Sequence, residues 1–174
     1  MKSVHKGVAA LAASLFLISA PMFAKNPAPG TIETKVRHEL FTIPTLNLFD
    51  DISFRVDSGV VTLFGDVRQP WMKSQAGNLV KHVEGVTRVD NEINVLPLSP
   101  MDDRIRVQAY RAIFNGPLFR YSQGVLGSIH IVVNNGHITL RGVVQNQGDS
   151  ELAFMHANAL PGVFSVKNEL QISN

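Results

Sequence analysis

An internal sequence repeat with a constant spacing between its two copies limits the fold of this chain more than any other feature. Residues 56–67 read VDSGVVTLFGDV, and residues 133–144 read VNNGHITLRGVV. The same spacing aligns positions further along the chain: Gly85 with Gly162, Val89 with Val166, Asn91 with Asn168, and Glu92 with Glu169. Because a match without gaps over roughly forty residues rarely arises by chance, we predict one unit used twice. The predicted units span residues 31–97 and 101–174, and residues 98–100 link them.

Both copies carry the same succession of hydropathy patterns. An apolar stripe at helical spacing comes first, and two stretches with period-two alternation follow it. The alternating stretches meet at Ser58-Gly59 and Asn135-Gly136, which favour a two-residue hairpin turn. A second helical stripe follows, and then a last strand, Thr87–Leu96 or Ser165–Ile172. We therefore predict an α+β fold of two tandem α-β-β-α-β units, each a three-stranded mixed sheet with two helices on one face.

Six glycines occupy matching positions in the two copies, and we expect all of them to be structural. They are Gly59 and Gly136 in the hairpin turns, Gly85 and Gly162 after the second helix, and Gly65 and Gly142 in the second strand. The turn and helix-end glycines supply positive φ, and we expect the strand glycines to let a helix approach the sheet closely.

Two asparagines, Asn91 and Asn168, fall on the apolar face of the last strand in each copy. We expect each amide to bond the backbone of a neighbouring loop, because buried polar groups are almost always hydrogen-bonded. A role in ligand binding is the alternative.

The N-terminal segment, residues 1–24, has the pattern of a secretory signal peptide. Lys2 and Lys6 precede an apolar run from Gly7 to Ala20, and Ala24 offers a small residue before a cleavage point. The run is too short to span a bilayer comfortably, so we expect no transmembrane span after cleavage. Residues 25–30, KNPAPG, form a flexible lead-in. The chain has no cysteine, so we expect the exported protein to be neither lipid-anchored nor disulfide-bonded.

Charge argues against a nucleic-acid partner. Beyond residue 24 the chain carries 14 basic and 14 acidic side chains, so the exported part is neutral. Nucleic-acid binding needs a basic face that neutralises phosphates, and purely electrostatic attraction to a membrane needs a net positive charge. An apolar content of 45% nevertheless allows a buried core.

The repeated motifs resemble the BON domain. The resemblance lies in the G-x-V/I-x-L-x-G-x-V hairpin, residues 59–67 and 136–144, and in the later G-V-x-x-V-x-N-E-I/L segment, residues 85–93 and 162–170. A signal peptide followed by two such domains is similar to bacterial periplasmic proteins of the osmotically inducible type. The resemblance implies binding to phospholipid surfaces or envelope proteins in support of the envelope under stress. It implies no catalytic residues.

The sequence contains no motif typical of a catalytic, metal or cofactor site. No histidine pair stands at helical spacing beside a carboxylate, so we expect no metal. We find no nucleophile elbow, phosphate loop or cofactor motif, and we predict a protein that is not an enzyme and has no cofactor. Two carboxylate pairs remain, Asp50-Asp51 and Asp102-Asp103. We interpret the first as a solvated loop and the second as a helix cap.

The second copy concentrates aromatic and basic residues on its first helix and the following loop. We predict that these side chains contact a membrane or partner: Arg104, Arg106, Tyr110, Arg111, Phe119, Arg120 and Tyr121. Guanidinium groups pair with lipid phosphate, and rings sit at the headgroup level. The alternative for Val107 and Phe114 in the same region is packing against the first copy.

Two functions follow from these observations. The first is a non-enzymatic periplasmic protein that binds an anionic phospholipid surface and supports the envelope under osmotic or other stress. The alternative is a chaperone-like or protein-interaction module that acts on envelope proteins.

Overall fold

The computed structural model describes residues 30–123 and 128–173, so the predicted signal peptide and nearly all of the lead-in lie outside the described residues. The first half contains α1 (Ile32–Phe41), β1 (Asp51–Asp57), β2 (Val60–Val67), α2 (Pro70–Lys81), β3 (Arg88–Asn91) and β4 (Asn94–Val95). The second half contains α3 (Pro100–Phe114), a short 3-10 helix (Pro117–Ser122), β5 (Ile129–Asn134), β6 (His137–Val144), α4 (Gln147–Asn158) and β7 (Ser165–Ile172).

Two separate mixed sheets confirm the predicted α+β class. In the first sheet, β2 lies between antiparallel β1 and the parallel strands β3 and β4. In the second sheet, β6 pairs antiparallel with β5 and parallel with β7. Each sheet shares one hydrophobic core with the helices of its own half.

The first sheet has four strands, so the prediction of a single last strand over Thr87–Leu96 was wrong in detail. The strand is interrupted where the Asn91 side-chain oxygen accepts the Ile93 N–H at 3.3 Å. Ile93 is fully buried in the core at this point. The chain pairs with β2 again at Asn94, as the separate two-residue strand β4.

Two hairpin turns share one backbone geometry. Ser58 and Gly59 have φ values of 50° and 86°, and Asn135 and Gly136 have values of 49° and 79°. Two consecutive positive φ values are what a type I′ turn requires, and this turn matches the twist of the paired strands.

Gly65 and Gly142 are needed for a different contact from the expected one. Both have φ near 120°, at 118° and 120°. A Cβ at Gly65 would overlap the carbonyl oxygen of Asp51, and a Cβ at Gly142 would overlap that of Ser128. The close approach therefore comes from the backbone of the neighbouring strand, and our expectation of a helix at this place was wrong.

Side chains at the helix starts tie the elements together. Thr31 caps α1 by accepting the Thr34 N–H at 3.3 Å, and Ser99 caps α3 by accepting the Asp102 N–H at 3.2 Å. Asp102 is only 1% exposed, and its carboxylate accepts the N–H groups of Asn135 and Gly136 at 2.9 and 2.8 Å. Asp102 therefore fixes the β5–β6 turn against α3, a contact beyond the helix-capping role predicted for it.

Candidate contact surface

Helix α3 buries one face and exposes another. Ile105, Ala109 and Ile113 lie in the core of the second half, at steps of four residues. Arg104 and Arg111 are exposed on the opposite side, and neither makes a hydrogen bond or ion pair with another part of the chain that the structure describes. Val107 lies between them at helical spacing and is 45% exposed. Arg104, Val107 and Arg111 therefore form one exposed stripe, the α3 stripe, in which an apolar side chain lies between two cations.

The structure turns Arg106 away from this stripe. Its side chain donates to the Asp103 carboxylate at 2.7 Å and to the Val133 carbonyl oxygen at 2.6 Å, and the residue is 3% exposed. The sequence carried a signal for this burial, because Arg106 follows the buried Asp102 by four residues and precedes Ala109 by three. Arg106 thus joins α3 to the end of β5.

Tyr121 also lies inside the fold. Its hydroxyl donates to Asp149 at 2.6 Å and accepts the Gln145 N–H at 2.9 Å. Arg120 donates to the same Asp149 oxygen at 2.5 Å and stacks its guanidinium 4.8 Å from the centre of the Tyr121 ring. The spacing of Leu118 and Tyr121, both buried, is the three-residue period of a 3-10 helix.

Asp149 at the start of α4 is held as a carboxylate by these partners. The hydrogen bond from Tyr121 lowers the pKa of Asp149 most, and the bond and charge of Arg120 lower it further against the opposing effect of burial. The contacts of Arg120 with Tyr121 and Asp149 raise the pKa of Arg120 in turn. Phe119, between them in the chain, is 54% exposed. The 3-10 helix therefore anchors Arg120 and Tyr121 on α4 and leaves Phe119 in solvent.

Tyr110 lies where the two halves meet. Its ring makes an edge contact with Phe49 at 6.4 Å between centroids and a tilted contact with Phe114 at 5.2 Å. Phe114 is 4% exposed in the second core, against which Leu48 and Phe49 from the first half pack. Val107 and Tyr110 line one side of an open groove of about 340 Å³, with Leu48, Phe49 and Arg68 opposite. Packing against the first half therefore involves Tyr110, while Val107 keeps about half of its surface.

Backbone and ring hydrogen bonds fasten the same junction. The Ile131 N–H donates to the Leu48 carbonyl oxygen at 2.7 Å, and the His130 Nδ1 lies 2.7 Å from the Asp50 carbonyl oxygen. Asp50 is fully buried, and its carboxylate accepts the Arg68 N–H at 2.8 Å. The interpretation of Asp50-Asp51 as a solvated loop was wrong, because the two residues lie in the contact between the halves.

Arg141 on β6 is the centre of an ionic cluster across the junction. Its Nη1 lies 2.6 Å from Asp66 and 3.1 Å from Asp51, both of the first half. Its Nε lies 2.8 Å from Glu169 on β7. Burial acts to lower the pKa of Arg141, but the hydrogen bonds with Glu169 and Asp66 and the charges of Asp51 and Asp66 outweigh it, so the pKa is raised. One guanidinium thus bridges strands of both sheets.

Two stretches of the chain, residues 30–97 and 102–174, match the family model for the BON domain. This chain belongs to the BON domain family. It is 31% identical over 125 residues to osmotically-inducible protein Y of Escherichia coli strain K12. That match covers 70% of this chain and 61% of the length of the relative.

Two solved structures of CdsD, a structural protein of the type III secretion system of Chlamydia trachomatis, are also similar to the chain. They share 13% and 14% sequence identity with it, at TM-scores of 0.33 and 0.29. The alignments cover 82% and 81% of this chain, and 93% and 96% of the other chains. At these values the similarity carries no argument about the present protein.

The paired asparagines serve the same purpose in both BON domains. Asn91 donates to the Lys73 carbonyl oxygen in α2 at 2.8 Å, and Asn168 donates to the Ser150 carbonyl oxygen in α4 at 3.2 Å. The partner is therefore a helix, and the expectation of a loop was wrong. Because Lys73 and Ser150 are themselves equivalent positions of the two copies, this bond between the last strand and the second helix is part of the repeat.

No constellation for metal chemistry lies within residues 30–123 and 128–173 of this BON protein: no three His, Cys, Asp or Glu side chains come close enough to hold an ion. No helix in these ranges is long and apolar enough to cross a membrane. Among the residues predicted from the sequence for contact, the described part of the second BON domain leaves Arg104, Arg111 and Phe119 exposed, with Val107 between the two arginines.

Proposed function

We propose that this protein is a non-enzymatic envelope protein that binds an anionic phospholipid surface through the second BON domain. Arg104, Val107 and Arg111 on α3 make the first contact, and Phe119 inserts beside them. We leave Arg106 and Tyr121 out of this surface because both are buried and hydrogen-bonded within the chain. The observation that carries the proposal is the pair of exposed arginines, without partners among the described residues, with an exposed apolar side chain between them.

Energetics indicate weak and salt-dependent binding. An arginine near an anionic membrane surface contributes about 1 kcal/mol. Partial burial of Phe119 and Val107 adds about 1 kcal/mol each. The sum, about 4 kcal/mol, corresponds to a dissociation constant of roughly 1 mM. The neutral chain adds no long-range attraction, so insertion of the apolar side chains Phe119 and Val107 has to supply about half of the affinity.

The proposal also includes export to the periplasm and a role under osmotic stress. We propose that residues 1–24 are a signal peptide and residues 25–30 a lead-in, and that two α-β-β-α-β units, residues 31–97 and 101–174 with linker 98–100, act in the periplasm. The pattern of Lys2, Lys6 and the apolar run supports export. The name of the osmotically inducible relative supports a role in keeping the envelope intact under osmotic stress.

Co-sedimentation with vesicles tests the lipid contact. The exported protein should pellet with vesicles of phosphatidylglycerol and phosphatidylethanolamine at low salt and stay in the supernatant with pure phosphatidylcholine. The double variant R104Q/R111Q and the variant F119A should each reduce pelleting.

Matched controls lie in the first domain. Arg55→Gln with Arg88→Gln removes the same charge, and Phe41→Ala removes a phenylalanine that is 52% exposed. Equal pelleting of surface and control variants, or no pelleting of the unaltered protein with either lipid, contradicts the proposal.

A chaperone-like or protein-interaction role is the second candidate, and one observation favours it. Met101 and Phe164 expose 44% and 69% of their surface at the end of the second domain that holds the Asn135-Gly136 turn. Exposed apolar patches mark sites of interaction with other proteins or with membranes. The protein should then suppress aggregation of a denatured outer-membrane polypeptide at equimolar ratio, and Phe164→Ser should weaken this effect. No suppression by the unaltered protein excludes the role.

A further inference from the structure

An open groove of about 600 Å³ lies between α1 and α2 of the first BON domain. Its walls carry the indole of Trp71 and a set of polar side chains: Glu39, Ser74, Gln75, Asn78 and His82. Leu79 and Val83 supply its apolar part. The volume falls within the range of about 300–1,000 Å³ that is typical of small-molecule sites. The groove is on the first domain, apart from the α3 surface proposed above.

The polar side chains in the groove have spare hydrogen-bonding capacity. Within residues 30–123 and 128–173, the side chains of Glu39, Ser74, Gln75 and Asn78 make no hydrogen bond or ion pair. His82 uses its Nδ1 on the Asn78 carbonyl oxygen at 2.7 Å, which leaves Nε2 for another partner. A hydroxyl and two amides can both donate and accept, so a ligand rich in hydroxyl groups fits this set.

Comparison of the two domains indicates that the fold does not require these residues. The constant spacing of the repeat puts Gly148 at the position of Trp71, Leu152 at that of Gln75 and Met155 at that of Asn78. His156 takes the place of Leu79 and joins α4 to α3 through the Ala112 carbonyl oxygen at 2.5 Å. The same architecture is thus built with apolar side chains and a helix–helix hydrogen bond. The indole and amides of the first domain are therefore available for another purpose.

We propose that the groove binds a short uncharged oligosaccharide, with one sugar ring stacked on Trp71. A pyranose ring presents an apolar face of C–H groups to the indole and a rim of hydroxyls that both donate and accept. The lining residues include no lysine or arginine, which disfavours a phosphate or other anion. Gln75 and Asn78, four and seven residues after Trp71, lie on the same side of α2 and reach the hydroxyl rim.

Trp71 is the single tryptophan of the chain, so its fluorescence reports directly on the groove. We would titrate the exported protein with triacetylchitotriose, cellotriose and maltotriose in separate series. At least one sugar should shift the emission of Trp71 in a saturable way at millimolar concentration. In the double variant Q75A/N78A the dissociation constant should rise about tenfold or more, since two hydrogen bonds are lost. Phe41→Ala, on the same domain, should leave it unchanged.

Three results would overturn the proposal. The first is that none of the sugars produces a saturable change in Trp71 fluorescence. The second is that Q75A/N78A binds sugar as tightly as the unaltered protein while its circular dichroism spectrum is native. In the third, tetramethylammonium saturates the signal and the sugars do not, which would mean that Trp71 and Glu39 select a cation instead. Vesicle binding is measured separately, so a failure here leaves the lipid proposal intact.

Discussion

Replacing Arg141 with glutamine should loosen the junction between the two BON domains. The change removes a cation that lies among three carboxylates, those of Asp51, Asp66 and Glu169. Asp51 and Asp66 are paired opposite each other across β1 and β2, so their charges repel when the guanidinium is gone. The variant therefore loses attraction between the domains and gains repulsion within the first sheet.

The magnitude lies between the limits for buried and exposed ion pairs. Removing one partner of a buried pair costs about 3–5 kcal/mol, whereas an exposed pair contributes about 0–1 kcal/mol. The Arg141 side chain is 30% exposed, while those of Asp51 and Asp66 are 13% and 16% exposed. For this half-buried cluster we expect Arg141→Gln to lower the free energy of unfolding by about 2–3 kcal/mol.

Urea denaturation measures this loss, with circular dichroism following both domains and Trp71 fluorescence following the first. Arg88→Gln is the matched control, because Arg88 and its partner Asp90 are 67% and 38% exposed. The control should lose less than about 1 kcal/mol. The reasoning is refuted if Arg141→Gln loses no more stability than Arg88→Gln.

Three further outcomes are expected. Gly142→Ala should lower the free energy of unfolding by about 3 kcal/mol, measured by thermal denaturation. Gly116→Ala should lower it less, because Gly116 has a φ of 118° but no neighbouring atom within 4 Å. Equal losses would mean that overlap with the neighbouring strand is unimportant. The folded-state pKa of Asp149 is lowered, so its contribution to stability is present above the ordinary value of 3.8 and is lost as the pH falls below it. The unfolding free energies of Asp149→Asn and the unaltered protein should therefore converge below about pH 3.8, and a constant gap from pH 6 to pH 2 would count against this account. Asn168→Ala should lower the free energy of unfolding by about 0.5–1.5 kcal/mol, because it removes one bond to the Ser150 carbonyl oxygen and the bond that the Leu170 N–H donates to Asn168. It should also speed hydrogen exchange at Leu170, and unchanged exchange would contradict this account.

Local patterns in the sequence were sufficient for the order of elements. Asn135-Gly136 predicts its turn because those two residue types tolerate positive φ without help from the rest of the chain. The helical stripe of Ile105, Ala109 and Ile113 predicts which side of α3 is buried, since apolar residues at that spacing lie on one face. Pairing of the strands follows from the turn.

Residues next to the apolar stripe of a helix were harder to assign as buried or exposed. Arg106 is adjacent to the buried side of α3, and a charged residue is expected to face water unless a partner is known. That partner, the Val133 carbonyl oxygen, is 27 residues away at the end of β5. Tyr121 is similar, because its burial depends on Asp149, which is 28 residues further along.

The sequence by itself determined that one unit is built twice, because turn residues and hydrophobic spacing act over short stretches of chain and recur in both halves at a constant separation. Only the tertiary structure decided how the two domains are joined. Arg141 finds its three carboxylates at positions 51, 66 and 169, which no local spacing connects. Charges attract in space whatever their separation along the chain, so such a cluster exists only after both sheets have formed and met.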